Sequence, residues 1–562
     1  MKNNKNAKFK FAPAALAALL VTGIAYAPVP QKKAQAASGR VLHVMSWEDY
    51  IYDSSENSDP KPKMIRDFED YYYEKTGERV TVEYSTQGTC ENMYTELKMN
   101  PNYDLVCPSE YMILKMMNEG MLEKLDRTKQ SKISGNTGVG IYDASVSPYI
   151  SSLFKTLKVH PDDLESVYDY ACCYMWGTMG YVYNPEYVPE SDAEHWSVVW
   201  NEKYKNKSTI KDSVRDSYIL ALGNAYAEEL IGYAERFESG DLKGNSAAYN
   251  ALLTEVFNRV TPEALEITGK DLKNLKDLLF GYEVDSGKKD MAAGKIWINF
   301  AWSGDAVYAM DFAEDPEEVG NNTAELNYSV PVEGSNIFFD GWVMPKGADV
   351  ELAQAFIDFL QTPSNAVQNM DFIGYTTSIA TDEVLDYAVE TYGLIRETTN
   401  EAGEKVYRTY VENENEETEL VDVDLKTETV DGEEVYYYES EDGERVDVYK
   451  VDLSYLFHLE NGEPAIVYTD TLGRQFSAQY PDYDTVIRCT VMGFMNNSDL
   501  ERLNVMWAEA KEGNSDFMLL AVGIVLGVFI IALLVYLAID KGWFDRHGKK
   551  GYTLVSSEEI RK

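Results

Sequence analysis

Histidine and cysteine are scarce in this chain of 562 residues. The five histidines include no close pair, so the sequence does not favour a histidine-based metal site. The five cysteines include no CxxC pair, and we expect them to be mostly small buried apolar residues. Cys90 and Cys107 are candidates for a disulfide. The sequence therefore predicts neither a metal ion nor a cofactor.

The chain also has few basic residues relative to acidic ones. The chain has 51 Lys and Arg against 94 Asp and Glu, which gives a net charge of −43. This charge argues against a nucleic-acid partner, because phosphates would be repelled, and it permits cationic partners. The nucleophile, zinc-protease and phosphate-loop motifs of common enzymes are missing from the sequence. We therefore predict a binding protein and not an enzyme.

Both ends of the chain predict an extracytoplasmic protein. Residues 1–37 begin with lysines, continue with an apolar stretch and end near the small residues "AQA", a pattern typical of a signal peptide; an uncleaved anchor is the alternative. Residues 517–539 carry no charge and are long enough for one transmembrane helix. Basic residues follow the span, so residues 540–562 are predicted to be a cytoplasmic tail.

Short β-type runs alternate with helical patterns between residues 40 and 395. Examples are the strand "RVLHVMSW", the helix "PKMIRDFEDYYYEKTG" and the strand "ERVTVEYST". This alternation predicts an α/β fold with a mostly parallel sheet, whose ligands bind beyond the carboxyl ends of the strands. The candidate positions are "SWEDY" (46–50) and "PSEY" (108–111). A second α/β unit is expected from residue 171 to residue 334.

Residues 396–485 differ in kind, because they are acidic and alternate every second residue. The stretches "VDGEEV" and "EDGERV" are hairpin signals. We interpret this segment as an acidic β-ribbon inserted in the second unit. Its charges are expected to form a solvated face, with docking of a partner as the alternative.

Four segments at predicted strand ends place an aromatic ring near a carboxylate or hydroxyl. They are "MSWEDY", "AWSGDA", "IFFDGW" and "IGYTTS". Aromatic faces attract ammonium groups, and carboxylates form charge-assisted hydrogen bonds with them, so the combination suits an elongated organic cation. Taken one at a time, a Trp near an Asp is more often a core residue beside a helix N-cap. Convergence of the four segments is the hypothesis that the structure must test.

The segments "VLHVMSWEDYI", "YDLVCPSEYMILKMMNEGMLEKLD", "WGTMGYVYN", "AWSGDA" and "DFIGYTTS" resemble the polyamine-binding proteins of bacterial ABC importers, the spermidine/putrescine family. The resemblance covers about residues 40–395 and resumes weakly at 486–512. It implies a two-lobe periplasmic-binding-protein fold of type II that captures a polyamine between its lobes. The implied partners are an ABC permease and its ATPase. A solute-binding protein for a sugar or another organic cation is the alternative.

The resemblance also implies a set of ligand-binding residues. Trp302 would stack on the polyamine chain, Asp305 would be a counter-charge, and Asp340 would bind an amine. Asp216 stands where the family has Glu, and Phe338 stands where spermidine-type members have Trp, so putrescine and spermidine both remain open. The full set is Trp47, Tyr50, Ser109, Tyr111, Asp216, Trp302, Asp305, Phe338, Asp340 and Tyr375.

The resemblance further implies how the chain is divided. Residues 38–165 and 339–390 would form lobe 1. Residues 166–338 and 391–512 would form lobe 2, with the acidic insertion inside it. A single helix at the C-terminus would hold the whole at the membrane.

Overall fold

The structure is a computed structural model. It describes residues 39–54, 60–412, 418–430, 432–440, 442–459 and 462–512. The predicted signal peptide (1–37), membrane span (517–539) and tail (540–562) lie outside these residues. Among the helices that are described, none is long and apolar enough to cross a membrane.

The described strands are, in chain order, β1 (Arg40–Ser46), β2 (Val80–Thr86), β3 (Leu105–Val106), β4 (Leu122–Glu123), β5 (Ala171–Tyr183), β6 (Ser208–Lys211), β7 (Gly281–Glu283), β8 (Ile298–Trp302), β9 (Asn327–Ser329), β10 (Ser335–Pro345), β11 (Thr376–Thr377), β12 (Ile395–Thr399), β13 (Lys405–Glu412), β14 (Thr418–Asp422), β15 (Lys426–Val430), β16 (Glu433–Glu439), β17 (Arg445–Asp452), β18 (Ile466–Thr469) and β19 (Cys489–Thr490).

The described α-helices are α1 (Lys63–Thr76), α2 (Cys90–Met99), α3 (Glu110–Asn118), α4 (Gly140–Ser145), α5 (Pro148–Thr156), α6 (Glu190–Ala193), α7 (Val214–Ala225), α8 (Ala227–Ser239), α9 (Ser246–Phe257), α10 (Pro262–Leu275), α11 (Gly287–Ala292), α12 (Ser303–Glu314), α13 (Pro316–Val319), α14 (Val350–Leu360), α15 (Pro363–Ile373), α16 (Asp382–Tyr392), α17 (Gln475–Gln479), α18 (Tyr483–Ile487) and α19 (Asn497–Lys511).

The main sheet runs in the order β2-β1-β3-β10-β5-β8-β6-β7. Strands β1, β2 and β3 are parallel, and so are β6, β7 and β8. We call the part built on β1–β3 the first lobe and the part built on β6–β8 the second lobe. The long strands β5 and β10 lie between these two groups and pair antiparallel with each other. They are the strands that the two lobes share.

The prediction of a mostly parallel sheet is therefore wrong at its centre. Every residue of β5 and of β10 is buried. Strands buried on both faces have continuous apolar sequences, and such a sequence does not reveal the direction in which the strand runs. The parallel arrangement holds only within each lobe.

The structure has two large hydrophobic cores, and the shared strands contribute residues to both. The first half of β5, from Ala171 to Trp176, belongs to the first core. Further along the same strand, Met179, Tyr181 and Tyr183 belong to the second core. The first core also contains Ala301 of β8 and Met310 of α12, so its packing joins the second lobe to the first. The predicted lobe boundaries in sequence stay a prediction.

The local helix signals of the first lobe are in place. The predicted helix after "PK" is α1, which buries Met64, Ile65, Phe68 and Tyr72 on one face. It ends at Gly77 with φ +72°, a left-handed conformation that glycine adopts without a steric penalty. Helix α2 begins after Thr89, whose side chain accepts a hydrogen bond from the Asn92 amide.

The acidic insertion is wider than a ribbon. Its strands form a second, antiparallel sheet in the order β14-β13-β12-β18-β17-β16-β15. Both predicted hairpins are present, since β15 pairs with β16 and β16 pairs with β17. The C-terminal part of the insertion enters the first core through Leu453, Leu456 and Phe457. Arg396 of β12 forms ion pairs with Asp382 and Asp386 of α16.

The expected disulfide is absent. All five cysteines are buried free thiols, including Cys90 and Cys107. The Cys90 sulfur instead accepts a hydrogen bond from the Ser109 amide, at 3.3 Å. The apolar surroundings explain why these residues serve as small core side chains.

Candidate functional site

The first part of the site forms where β8 meets α12. Strand β8 ends at Trp302, and Asp305 lies in the first turn of the helix that follows at once. A helix N-terminus stabilises a carboxylate through its free amides and dipole. Gly304 is required here, because a Cβ at this position would lie 2.1 Å from the Tyr375 ring. The short segment "SGD" thus lets an aromatic ring close over the helix end.

Asp305 is surrounded by donors. Its Oδ2 lies 2.9 Å from Lys211 Nζ, and its Oδ1 lies 3.4 Å from Lys288 Nζ. The Tyr375 hydroxyl donates to Oδ1 at 3.2 Å. Burial acts to raise the pKa of Asp305, but the two ammonium groups outweigh it and lower the pKa. Asp305 is therefore a buried carboxylate that is already neutralised by the chain itself.

Lys211 occupies the position where the sequence predicted an ammonium group of the ligand. It ends β6 and is only 1% exposed. Its ammonium also lies 3.0 Å from Glu283 Oε1 and 4.2 Å from the centroid of the Trp302 ring. Burial acts to lower the pKa of Lys211, and the charges of Asp305 and Glu283 raise it above its usual value. The lysine is therefore charged and lies on the aromatic face that was expected for a ligand.

The second part of the site is Asp340. The Tyr50 hydroxyl donates to its Oδ2 at 2.6 Å, and the Ser109 hydroxyl donates to its Oδ1 at 2.7 Å. Burial raises the pKa of Asp340 to about 6, against the two hydrogen bonds, which lower it. Within the described part of the chain, Asp340 has no ion pair. It is an acid whose partners are neutral.

The expected position of "IFFDGW" at a strand end is wrong. Asp340 lies inside β10, where the pairing with β5 shifts register between Asp340 and Gly341. An irregularity of this kind redirects a side chain within a sheet. Phe339 and Trp342 pack in the first core, as ordinary core aromatics do.

Aromatic rings connect the two acids. The Tyr375 ring meets Tyr50 edge-on at 5.7 Å and Phe338 edge-on at 6.0 Å between centroids. The hydroxyl of the same Tyr375 reaches Asp305. Tyr375 lies between the Gly374 cap of α15 and β11. It therefore stands between the Asp305 part and the Asp340 part of the site.

Tyr111 of the first lobe meets the start of α7, the helix that carries Asp216, through Arg215. Tyr111 is on α3, and the guanidinium of Arg215 lies 4.9 Å from its ring centroid. Asp216, the next residue, is buried in the first turn of α7, which Ser213 caps. Burial raises the pKa of Asp216 to about 6. These residues extend the site along the α3 and α7 termini.

Trp47 is the predicted site residue that the structure does not join to the others. It lies on the turn after β1 and is partly buried against the first core. Among the described residues, no hydrogen bond or ring contact joins it to the other predicted site residues. Its indole nitrogen is buried there without a partner.

Sequence reasoning missed Lys211, Glu283, Lys288 and Glu110. No sequence signal pointed to Lys211, because a lysine at the end of the short strand "STIK" is usually solvated. Glu110 is 1% exposed, and its Oε2 accepts a hydrogen bond from the Phe339 amide at 3.0 Å. Burial raises the pKa of Glu110 to about 8. The charge partners of Lys211 come from distant segments, so spacing could not reveal them.

Two lobes that share two long strands, with acids and aromatic rings between them, define a solute-binding protein. Residues 63–393, more than half of the chain, match the family of bacterial extracellular solute-binding proteins. The chain belongs to this family. Membership confirms the expectation of a binding protein and places its class outside the enzymes.

Relatives and solved structures agree with this assignment. The spermidine/putrescine-binding periplasmic protein of Salmonella typhimurium is 25% identical over 347 residues, covering 61% of this chain and 79% of the relative. A putrescine-binding periplasmic protein of Pseudomonas aeruginosa is 26% identical over 352 residues, covering 61% and 79%. A solved structure titled as a putative spermidine/putrescine ABC transporter from Listeria monocytogenes is 20% identical, covers 84% of this chain and 99% of its own, and has a TM-score of 0.50. The last comparison shows the fold.

Proposed function

We propose that this chain is the extracytoplasmic receptor of an ABC importer for polyamines of the putrescine and spermidine class. The proposal draws on the relatives named above, which are described as polyamine-binding proteins. It also draws on the chemistry of the candidate site, where buried carboxylates and aromatic rings lie together. A neutral sugar brings no positive charge to balance a buried carboxylate, which makes the sugar alternative the weaker one.

The single observation that carries the proposal is the surroundings of Asp340. A buried carboxylate whose partners are two hydroxyl groups has no charge to balance its own. An ammonium group placed there would form a charge-assisted hydrogen bond and would supply the missing positive charge. The edges and faces of Tyr50, Phe338 and Tyr375 would enclose the alkyl chain.

Capture would couple to closure of the lobes. Tyr50 and Ser109 belong to the first lobe, while Asp216 and Asp305 follow strands of the second. A ligand that touches both sides stabilises the closed form in proportion to its greater affinity for that form. The shared strands β5 and β10 are the natural place for the hinge. The closed form would then dock on a permease driven by its ATPase.

Calorimetry on the full-length chain tests the ligand class. Putrescine, cadaverine, spermidine and spermine are titrated in turn, with maltose and ferric citrate as controls. Saturable binding of at least one amine at micromolar or lower concentration is expected, with no heat from either control. A folded sample that binds maltose or ferric citrate and no amine would contradict the proposal.

The proposal includes attachment to the membrane through residues 517–539. Their support is the sequence alone: an uncharged apolar stretch long enough to span, followed by basic residues. Tethering would keep the receptor at high local concentration beside the permease. A chain truncated after residue 512 should move from the membrane fraction to the soluble fraction. Retention of the truncated chain in the membrane would argue against this anchor.

A further inference from the structure

The ammonium group of Lys211 finds all of its hydrogen-bond acceptors inside the protein. Its Nζ donates to the Val284 carbonyl at 3.0 Å and lies within hydrogen-bond distance of Asp305 and of Glu283. An ammonium group has three donors, and each of them here has an acceptor. The face of the Trp302 ring completes the surroundings at 4.2 Å. Two acids, a carbonyl and an aromatic face are what a protein would offer to the ammonium of a bound amine.

We propose that Lys211 is a specificity-determining residue whose ammonium permanently occupies the Trp302–Asp305 position, so that the cleft recognises only one ammonium of its ligand. This inference rests on the proposed function and narrows it. The substrate class becomes a primary amine with one recognised cationic end, held at Asp340. The far end of the ligand then contacts the second lobe without an ammonium group at Asp305.

The surroundings of Asp305 and Asp340 support the assignment of one ammonium position to Lys211 and the other to the ligand. Asp305 pairs with the ammonium groups of Lys211 and Lys288. Asp340 has two hydroxyl partners and, within the described residues, no cation. A second ligand ammonium at Asp305 would have to displace a buried lysine or lie against two like charges. Either event costs free energy that a single-headed amine avoids.

The binding ratio of two amines of equal chain length tests the inference. Butylamine carries one ammonium and putrescine carries two, and both are titrated into the full-length chain by calorimetry. If Lys211 fills the second position, the two dissociation constants should agree within about threefold. The Lys211→Ala variant removes the internal ammonium, so that Glu283 loses its ion pair and Asp305 keeps only Lys288 among the described residues. Putrescine should then bind at least tenfold more tightly than butylamine.

A matched control comes from the residue before β6. The ammonium of Lys207 lies 4.9 Å from the centroid of the Trp297 ring and donates to the Lys295 carbonyl, so its contacts are away from Asp305 and Asp340. Lys207→Ala removes the same groups and the same kind of contact. It should leave the butylamine-to-putrescine ratio at the wild-type value. Lys211→Arg, which keeps a cation, should also leave the preference for diamines weak.

The outcomes separate the inference from the proposed function. A wild-type preference for putrescine above about thirtyfold would show that Lys211 gives way to the ligand, and it would overturn the inference while supporting a polyamine receptor. An unchanged ratio in folded Lys211→Ala would also overturn it. If the wild-type chain binds none of the amines, the proposed function itself is overturned. If Lys211→Ala does not fold, the wild-type ratio decides alone.

Discussion

Tyr50 donates its hydroxyl hydrogen to Asp340 over 2.6 Å, and this bond joins the loop after β1 to the middle of β10. Ser109 makes the matching bond to the other carboxylate oxygen. Both donors are neutral, so they orient the carboxylate without balancing its charge. The acid is thereby preorganised for a cation, which lowers the cost of binding one.

Asp340→Asn should weaken amine binding by at least tenfold, because the variant keeps the shape of the side chain and loses its charge. Hydrogen bonds to charged groups are worth about 1.5–3 kcal/mol, which corresponds to this loss or more. Calorimetry with the amine that binds wild type best provides the measurement.

Asp49→Asn is the control for that substitution. Asp49 is exposed and has φ +50°, a conformation that Asn also adopts readily. Its replacement should change the amine affinity by less than threefold. Equal losses in the two variants would place the binding site away from Asp340.

Amine affinity should fall in acid. Burial raises the pKa of Asp340 to about 6, so the carboxylate is largely protonated below that pH. A neutral carboxyl group cannot balance an ammonium, and each pH unit below 6 should weaken binding by up to about tenfold. Titrations between pH 4.5 and 8 measure this slope. An equally steep slope in Asp340→Asn would place the titrating acid elsewhere and contradict the prediction.

Much of the fold follows from local sequence signals. The strand and helix pattern of "RVLHVMSW" and "PKMIRDFEDYYYEKTG" is present, as are the hairpins of the insertion. The direction of β5 and β10 was not predictable, because an apolar run looks the same in a parallel and an antiparallel sheet. Register and strand order depend on contacts between distant segments.

The sequence allowed the proximity of the acids and aromatic rings to be predicted, and not the cations that lie beside them; that these residues bind a ligand stays a prediction. Asp305, Asp340 and Tyr375 belong to one connected cluster, as the four segments required. Lys211 gave no comparable signal, since a lysine at a strand end is usually solvated. Only the fold brings it to Trp302 and Asp305, and only its burial shows that it is part of the site.

Glu110→Gln should remove a pH dependence of stability. Burial raises the pKa of Glu110 to about 8 from the usual 4.5, so the folded chain keeps a proton that the unfolded chain releases between these values. Stability contributed by this group is present below pH 4.5 and declines as pH rises to 8, by at most about 1.4 kcal/mol per unit. Gln keeps an acceptor for the Phe339 amide and does not titrate.

Denaturant unfolding from pH 4.5 to 9 measures this effect. The difference in unfolding free energy between Glu110→Gln and wild type should grow in favour of the variant as pH rises, and level off above pH 8. Glu74→Gln, at an exposed position on α1, should follow the wild-type curve. Parallel curves for Glu110→Gln and wild type would refute the assignment of the proton to Glu110.

Tyr375→Phe should weaken amine binding slightly, and Tyr375→Ala should weaken it strongly. Phe keeps the edge contacts with Tyr50 and Phe338 and loses one hydrogen bond to Asp305, which retains both lysines. We expect an affinity loss below about threefold for Phe and above about tenfold for Ala, since aromatic pairs are worth about 0.5–1.5 kcal/mol each. Calorimetry compares them. A loss as large for Phe as for Ala would move the importance of Tyr375 from its ring to its hydroxyl.

Leu453→Ala and Leu420→Ala should separate the structural part of the acidic insertion from its exposed part. Leu453 is 0% exposed in the first core, whereas Leu420 on β14 is 48% exposed. Deleting a buried leucine side chain costs about 2–5 kcal/mol, while an exposed one costs within about 0.5 kcal/mol. Denaturant unfolding should therefore show a large loss of stability for Leu453→Ala alone.

Because the insertion enters the core, excision of residues 400–480 should unfold the first lobe. A folded deletion variant would show that this core packs without Leu453 and Phe457.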